Sequence, residues 1–175
     1  VSYYDRYRPN DMKIMGPVME KAEEHNLVIL FNSGNPPRDL PTLQAKAASA
    51  FPNVKMILAH IGLHDHLWDT IIACQDHDNI SVDMSQAYPF DIKTFISETG
   101  TDRVTYGSDV PYQSPRVEQE KIRVIGLSDR DQEKIFYLNK NNAMRKNIAN
   151  NGYITFKENA SNKVLRRKIY ISILK

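Results

Sequence analysis

VKMILAHIG, residues 54–62, is an apolar run that stops on a histidine, and the same layout recurs on both sides of it. LVILFNSG (27–34) passes into Asn32, ISVDMS (80–85) ends on Ser85, and VTYGSD (104–109) ends on Asp109. The steps from Asn32 to His60 to Ser85 to Asp109 are 28, 25 and 24 residues. Each gap holds one stretch with helical character. Short apolar runs alternating with helical stretches, with polar side chains closing each run, predict βα units with chemistry at the C-terminal ends of parallel strands.

Working outward, residues 1–10 read as a loop. Asn10 or Asp11 caps a helix reaching about His25, with Ile14, Val18, Ala22 and His25 as its stripe. Leu27–Phe31 is continuously apolar, as in a strand buried on both faces. SGNPPRDLP (33–41) is a long turn, followed by an Ala-rich helix over 41–50. Strands over 54–59, 80–84 and 104–106 alternate with helices over 65–77, 90–99, 115–126 and 128–144. The third strand alternates, with Ile80, Val82 and Met84 against Ser81, Asp83 and Ser85, so one of its faces is less apolar. This order requires a parallel sheet with crossovers of one hand. It fits a doubly wound sheet and a barrel sector equally. The expected fold class is α/β, a partial (β/α)₈ barrel contributing its second half. Residues 1–150 form that domain, and residues 151–175 form a basic tail.

A complete barrel takes roughly 250 residues, so 175 residues are expected to need an upstream half or a second copy. Hydrophobic and charged fractions of 41% and 25% are those of a soluble domain. The net charge of +2 is uneven: residues 157–175 hold six basic side chains and one acidic, leaving −3 for the rest. A basic tail without a recognition motif argues against a nucleic-acid partner. No apolar run approaches bilayer length. A cytoplasmic protein with a small-molecule substrate and no membrane partner is the expectation. The single cysteine, Cys74, sits in DTIIACQDH (69–77) and reads as a packing residue.

An imidazole and a carboxylate at neighbouring strand ends suit acid–base work or a divalent metal. His60 and Asp109 are therefore the candidate catalytic pair. His64 and His66 form an H-x-H pair, but two residues apart on a helix they do not face each other. Asp83 and Ser85 share one face of a strand and read as a core hydrogen-bonding pair. His25 and His77 lie at helix ends. No G-x-S-x-G, P-loop, G-x-G-x-x-G or CxxC is present, which removes the common serine-hydrolase, nucleotide and zinc-ribbon readings.

KIMGPVMEKAEEHNLVILFNSG (13–34), FPNVKMILAHIG (51–62), NISVDMS (79–85), DRVTYGSDVP (102–111) and NNA (141–143), in that order, resemble the amidohydrolase-related family of metal-dependent hydrolases and decarboxylases, the aminocarboxymuconate-semialdehyde decarboxylase type included. The resemblance covers roughly residues 10–147. It implies a (β/α)₈ barrel, a divalent metal (zinc or manganese), and hydrolysis or decarboxylation of a small organic acid, amide or lactone. It matches His60 to a histidine acting on substrate or metal-bound water, and Asp109 to a metal-binding proton acceptor. Asn32 stands where the family carries a metal-binding histidine, and the first-strand H-x-H pair is absent. His60, Asn32 and Asp109 are thus the expected metal ligands. Tyr112 and Arg116, in the loop after the fourth strand, are the expected substrate contacts. The alternative is an inactive half-barrel that binds a ligand or assembles as a homodimer.

Overall fold

A computed structural model describes residues 8–136. The tail at 151–175, the NNA segment and the end of the expected helix over 128–144 lie outside the described residues. Among the described residues six α-helices and four strands follow in the order α1 (Met12–Glu24), β1 (Val28–Phe31), α2 (Pro41–Ala50), β2 (Lys55–Leu58), α3 (Leu67–Asp76), β3 (Ile80–Asp83), α4 (Pro89–Thr99), β4 (Val104–Thr105), α5 (Pro115–Val124) and α6 (Asp129–Ile135).

The strands form one parallel sheet in the order β1-β2-β3-β4. A doubly wound sheet reverses its strand order at a switch point. Here the order never reverses, so the fold is a four-unit sector of a (β/α)₈ barrel. Phe31, Leu58, Val82 and Val104 are successive partners across the sheet and all are buried. They share one core with Met15 and Met19 of α1, Ala47 of α2, Ile71 and Cys74 of α3, Ile92 and Phe95 of α4, and Ile122 of α5. The opposite face carries Leu30, Ile57, Ser81 and Asp83, none of them fully buried.

That second face corrects the reading of β1. Its continuous apolar run predicts burial on both sides, yet Leu30 is 47% exposed. A run of Leu, Val and Ile cannot report which of its faces is covered. The third strand alternates as expected, with Ile80 and Val82 buried and Ser81 and Asp83 half-buried. In α1 the cap is Asp11, which accepts from the Lys13 N–H. The buried stripe is Met15, Met19 and Ala22, while Ile14 and His25 face outward. Ala22 keeps its expected place and Val18 packs partly against the core, while Met15 and Met19 take the fully buried positions.

At the N-terminal end of the sheet two polar side chains stitch neighbouring units together. The Asn79 amide donates to the carbonyls of Ala48, Phe51 and Val54. Arg103 donates to the carbonyls of Asp78 and Ile80 and pairs with the Asp78 carboxylate. These contacts satisfy carbonyls at helix ends and turns that the ladders leave open. Among the described residues no helix is long and apolar enough to cross a membrane.

Cys74 lies in the core, and burial pushes its thiol up to about 12. Since the thiolate is the reactive form, the native protein at about pH 8 should resist iodoacetamide. Labelling that appears only in denaturant, read by intact mass, is the expected result.

Candidate functional site

The four polar residues that close the strands all stand at the C-terminal edge of the sheet. Asn32 follows β1 directly, His60 and Ser85 follow β2 and β3 by two residues, and Asp109 follows β4 by four. The backbone there is strained. Six described non-glycine residues have positive φ, and five of them lie at this edge: His60 (68°), Ile61 (51°), Leu63 (55°), Gln86 (62°) and Asp109 (49°). A left-handed β-branched residue such as Ile61 is a steric outlier, of the kind that costs on the order of 1–3 kcal/mol. Such strain persists only where surrounding contacts enforce it.

His60 is buried and its ring is fixed. Nδ1 lies 2.9 Å from Ser85 Oγ and 3.2 Å from the Ser85 carbonyl oxygen. A carbonyl only accepts, so Nδ1 carries the proton. The Ser85 hydroxyl in turn donates to Asp83 Oδ1. The hydrogen bonds therefore run one way, from Nδ1–H to the hydroxyl and from the hydroxyl to the carboxylate. In the neutral ring the lone pair is left on Nε2, which has no hydrogen-bond partner among the described residues.

Asp83 also accepts from the Ser85 N–H at 2.9 Å, and its carboxyl lies close to the backbone N–H of His60. Burial pushes this carboxyl above its ordinary value, a shift that those hydrogen bonds and the nearby His60 only partly offset. Gly107 makes room for it: a Cβ at position 107 would fall 1.4 Å from Asp83 Oδ2. The G-S-D string after β4 thus serves β3, the preceding strand in sequence and its neighbour in the sheet.

Asp109 is half-buried. Its Oδ2 accepts from the side-chain amide of Gln86, and its carbonyl accepts from the Tyr112 and Gln113 N–H groups. Ser85 therefore touches His60 while its neighbour Gln86 touches Asp109. The two candidate residues are joined through one dipeptide. The sequence alone marks Ser85 as a core hydrogen-bonding residue and gives Gln86 no role. The position of Gln86 just beyond an alternating strand was the only available signal.

The other expected site residues are placed less centrally. Asn32 gives its Nδ2 hydrogen to Asp39 Oδ2 at 3.0 Å, and its carbonyl accepts from Gln44. Its amide oxygen is the one atom suited to bind a ligand. Tyr112 is 76% exposed and Arg116 is exposed in the first turn of α5. His64 and His66 do not converge. Nδ1 of His64 sits 3.0 Å from the buried Asp91 carboxylate of α4, and Nδ1 of His66 sits 3.1 Å from Asp69 of α3. Among the described residues no three His, Cys, Asp or Glu side chains gather into a group able to hold a metal ion. His60, Asp109 and a neutral Asn32 oxygen are by themselves too few strong donors for a metal ion.

An amidohydrolase family model matches residues 3–139. No curated protein matches the chain by sequence. Solved structures similar to it include an uncharacterised TIM-barrel protein of Bordetella bronchiseptica (12% identity, TM-score 0.65, covering 83% of this chain and 53% of that one). Another is 5-carboxyvanillate decarboxylase of Sphingomonas paucimobilis (16% identity, TM-score 0.55, covering 89% and 56%). A third is 2,6-dihydroxybenzoate decarboxylase of Rhizobium (14% identity, TM-score 0.52, covering 68% and 51%). The chain spans about half the length of the structures it matches. At these identities the likeness is one of fold, and it agrees with the barrel sector derived from strand order.

Two outcomes follow from the Asp83 geometry. Gly107→Ala should displace the Asp83 carboxylate, cost about 1–3 kcal/mol in urea unfolding, and shift the Nδ1–H signal of His60 in NMR. A carboxyl raised above its ordinary 3.8 favours folding while protonated. That contribution is whole below the ordinary value and is lost as pH rises through the folded one. Asp83→Asn cannot ionise, so its melting temperature should gain on the wild type as pH rises from about 4 to 7.

Proposed function

The chain belongs to the amidohydrolase family, and on that premise we propose that it carries the acid–base half of a hydrolase or decarboxylase site for a small organic acid, amide or lactone. His60 and Asp109 are the catalytic pair. The observation that carries this reading is the one-way hydrogen-bond chain on His60, which leaves Nε2 as the acceptor at the strand ends.

In hydrolysis, Nε2 takes a proton from the attacking water as its oxygen bonds to the acyl carbon. The same proton then goes to the departing nitrogen or oxygen. In decarboxylation the breaking C–C bond leaves its electron pair on the substrate carbon. That carbon takes a proton from Nε2–H of a ring first protonated there by solvent, and the ring returns to its neutral Nδ1–H form as CO₂ departs. Asp109, through the carboxylate oxygen that Gln86 leaves unused, orients the water or the substrate's hydroxyl. Nδ1–H stays on Ser85 throughout, so the ring exchanges protons only at Nε2. A divalent metal, zinc or manganese, would supply Lewis-acid activation of water. That part of the reading rests on ligands from outside residues 8–136. Tyr112 stands on the loop after β4 and Arg116 in the first turn of α5, and Arg116 suits the anionic end of an acid substrate.

A second reading has a specific observation behind it. Asn32 commits its amide nitrogen to Asp39, and no group of three strong metal donors forms among the described residues. Both fit a half-barrel that binds a ligand or pairs with a second copy without turning substrate over.

The deciding experiment supplies zinc or manganese to the purified chain. It assays CO₂ release from 2,6-dihydroxybenzoate and 5-carboxyvanillate, and hydrolysis of a panel of amides and lactones, with metal content measured by elemental mass spectrometry. Activity that falls about 10²–10⁴-fold in both His60→Asn and Asp109→Asn is the expected result. No turnover of any of these, together with a dimer or a bound ligand, would establish the second reading instead.

A further inference from the structure

Gln86 belongs to no motif, yet its side chain is the one described group that holds the Asp109 carboxylate. We propose that Gln86 is a positioning residue: its amide holds Oδ2 of Asp109 and so presents Oδ1 to the substrate, in fixed relation to the His60 ring held by the adjacent Ser85. The inference rests on His60 and Asp109 being the working pair.

Three observations support it. First, the contact joins two residues that both sit in the left-handed region, Gln86 at φ 62° and Asp109 at φ 49°. Glutamine gains little there by itself, unlike Asn or Asp, whose shorter side chains bond the local backbone. The backbone at residue 86 is therefore held by what the side chain reaches. Second, Asp109 is gripped from two directions. Its carbonyl accepts from the Tyr112 N–H at 2.9 Å and the Gln113 N–H at 3.3 Å, opening a turn, while Gln86 takes the carboxylate. Of the two carboxylate oxygens, Oδ1 is left without a hydrogen-bond partner among the described residues. Third, Ser85 and Gln86 are consecutive, and they are the two central residues of a turn closed by the Ala87 N–H to the Met84 carbonyl at 3.2 Å. One short, hydrogen-bonded segment thus fixes both members of the pair, so their spacing does not depend on two independent loops.

The chemistry of the amide suits this task. A primary amide donates without ionising, so it orients Asp109 and leaves the carboxylate its charge and its role as acceptor. A lysine at the same place would neutralise that charge, and a glutamate would repel it.

The test compares Gln86→Leu and the near-isosteric Gln86→Glu with the wild-type chain. It measures melting temperature, the ¹³Cγ resonance of Asp109, the ¹⁵N signals of the His60 ring, and kcat and KM on whichever acid or amide the wild type turns over. In both variants the Asp109 Cγ resonance should move while the His60 ring keeps its Nδ1–H tautomer. The kcat should fall about 10- to 100-fold with KM within about twofold, and the melting temperature should stay near wild type. Gln86→Glu, which keeps the shape and removes the donor, separates positioning from packing: full activity and an unmoved Cγ in that variant would overturn the proposal. If the wild type turns over none of the substrates, the catalytic reading falls separately, and the Cγ resonance alone decides. A shift in both variants upholds the positioning contact, and no shift refutes it.

Discussion

The hydroxyl of Ser85 determines the chemical state of the site. It stands between a ring nitrogen and a carboxylate, and because it gives its only hydrogen to Asp83 it must receive one from His60. The Ser85 carbonyl imposes the same choice on Nδ1. Two acceptors on one residue therefore set the tautomer of a histidine 25 positions away. Everything downstream, from the Asp83 carboxyl to the absence of a side chain at Gly107, provides room and partners for that arrangement.

Barrel geometry explains why such an arrangement can form at all. Parallel strands in sequential order bring the ends of β2, β3 and β4 side by side, although each is separated in sequence by a whole helix. Left-handed backbone at His60, Ile61, Leu63, Gln86 and Asp109 turns the chain sharply at those ends and aims side chains across the edge. The glycines complete the fit. A Cβ on Gly34 would fall 2.2 Å from the Gly62 carbonyl oxygen, so the β1 and β2 loops meet with backbone against backbone.

The fold was legible in the sequence because it depends on spacing. Four apolar runs at near-equal intervals required βα units, and strand order then distinguished a barrel sector from a doubly wound sheet. His60 and Asp109 were legible for a similar reason, since each closes a strand. Three features were hidden. The exposure of Leu30 depends on what covers a face, and a uniformly apolar run carries no sign of that. The role of Gly107 as a niche for Asp83 is a contact between strands, which local turn chemistry does not encode. Gln86 was invisible because an amide after a strand is compositionally unremarkable, and only the three-dimensional pairing with Asp109 gives it meaning.

The end of β1 differs in kind from the other three, and the difference bears on Asn32. Its backbone is not in the left-handed region, and its amide nitrogen and carbonyl are both engaged, with Asp39 and with Gln44, which itself accepts from Ser33. These contacts draw the long 33–41 turn down onto the start of α2. A histidine at position 32 would have one ring nitrogen to spend on Asp39 and one for a ligand. An asparagine that spends its donor on Asp39 keeps a neutral oxygen, a weak partner for a soft or borderline metal. Left-handed backbone is concentrated at the ends of β2, β3 and β4, whereas Asn32 is held in an ordinary backbone conformation by contacts that clamp the neighbouring loop in place.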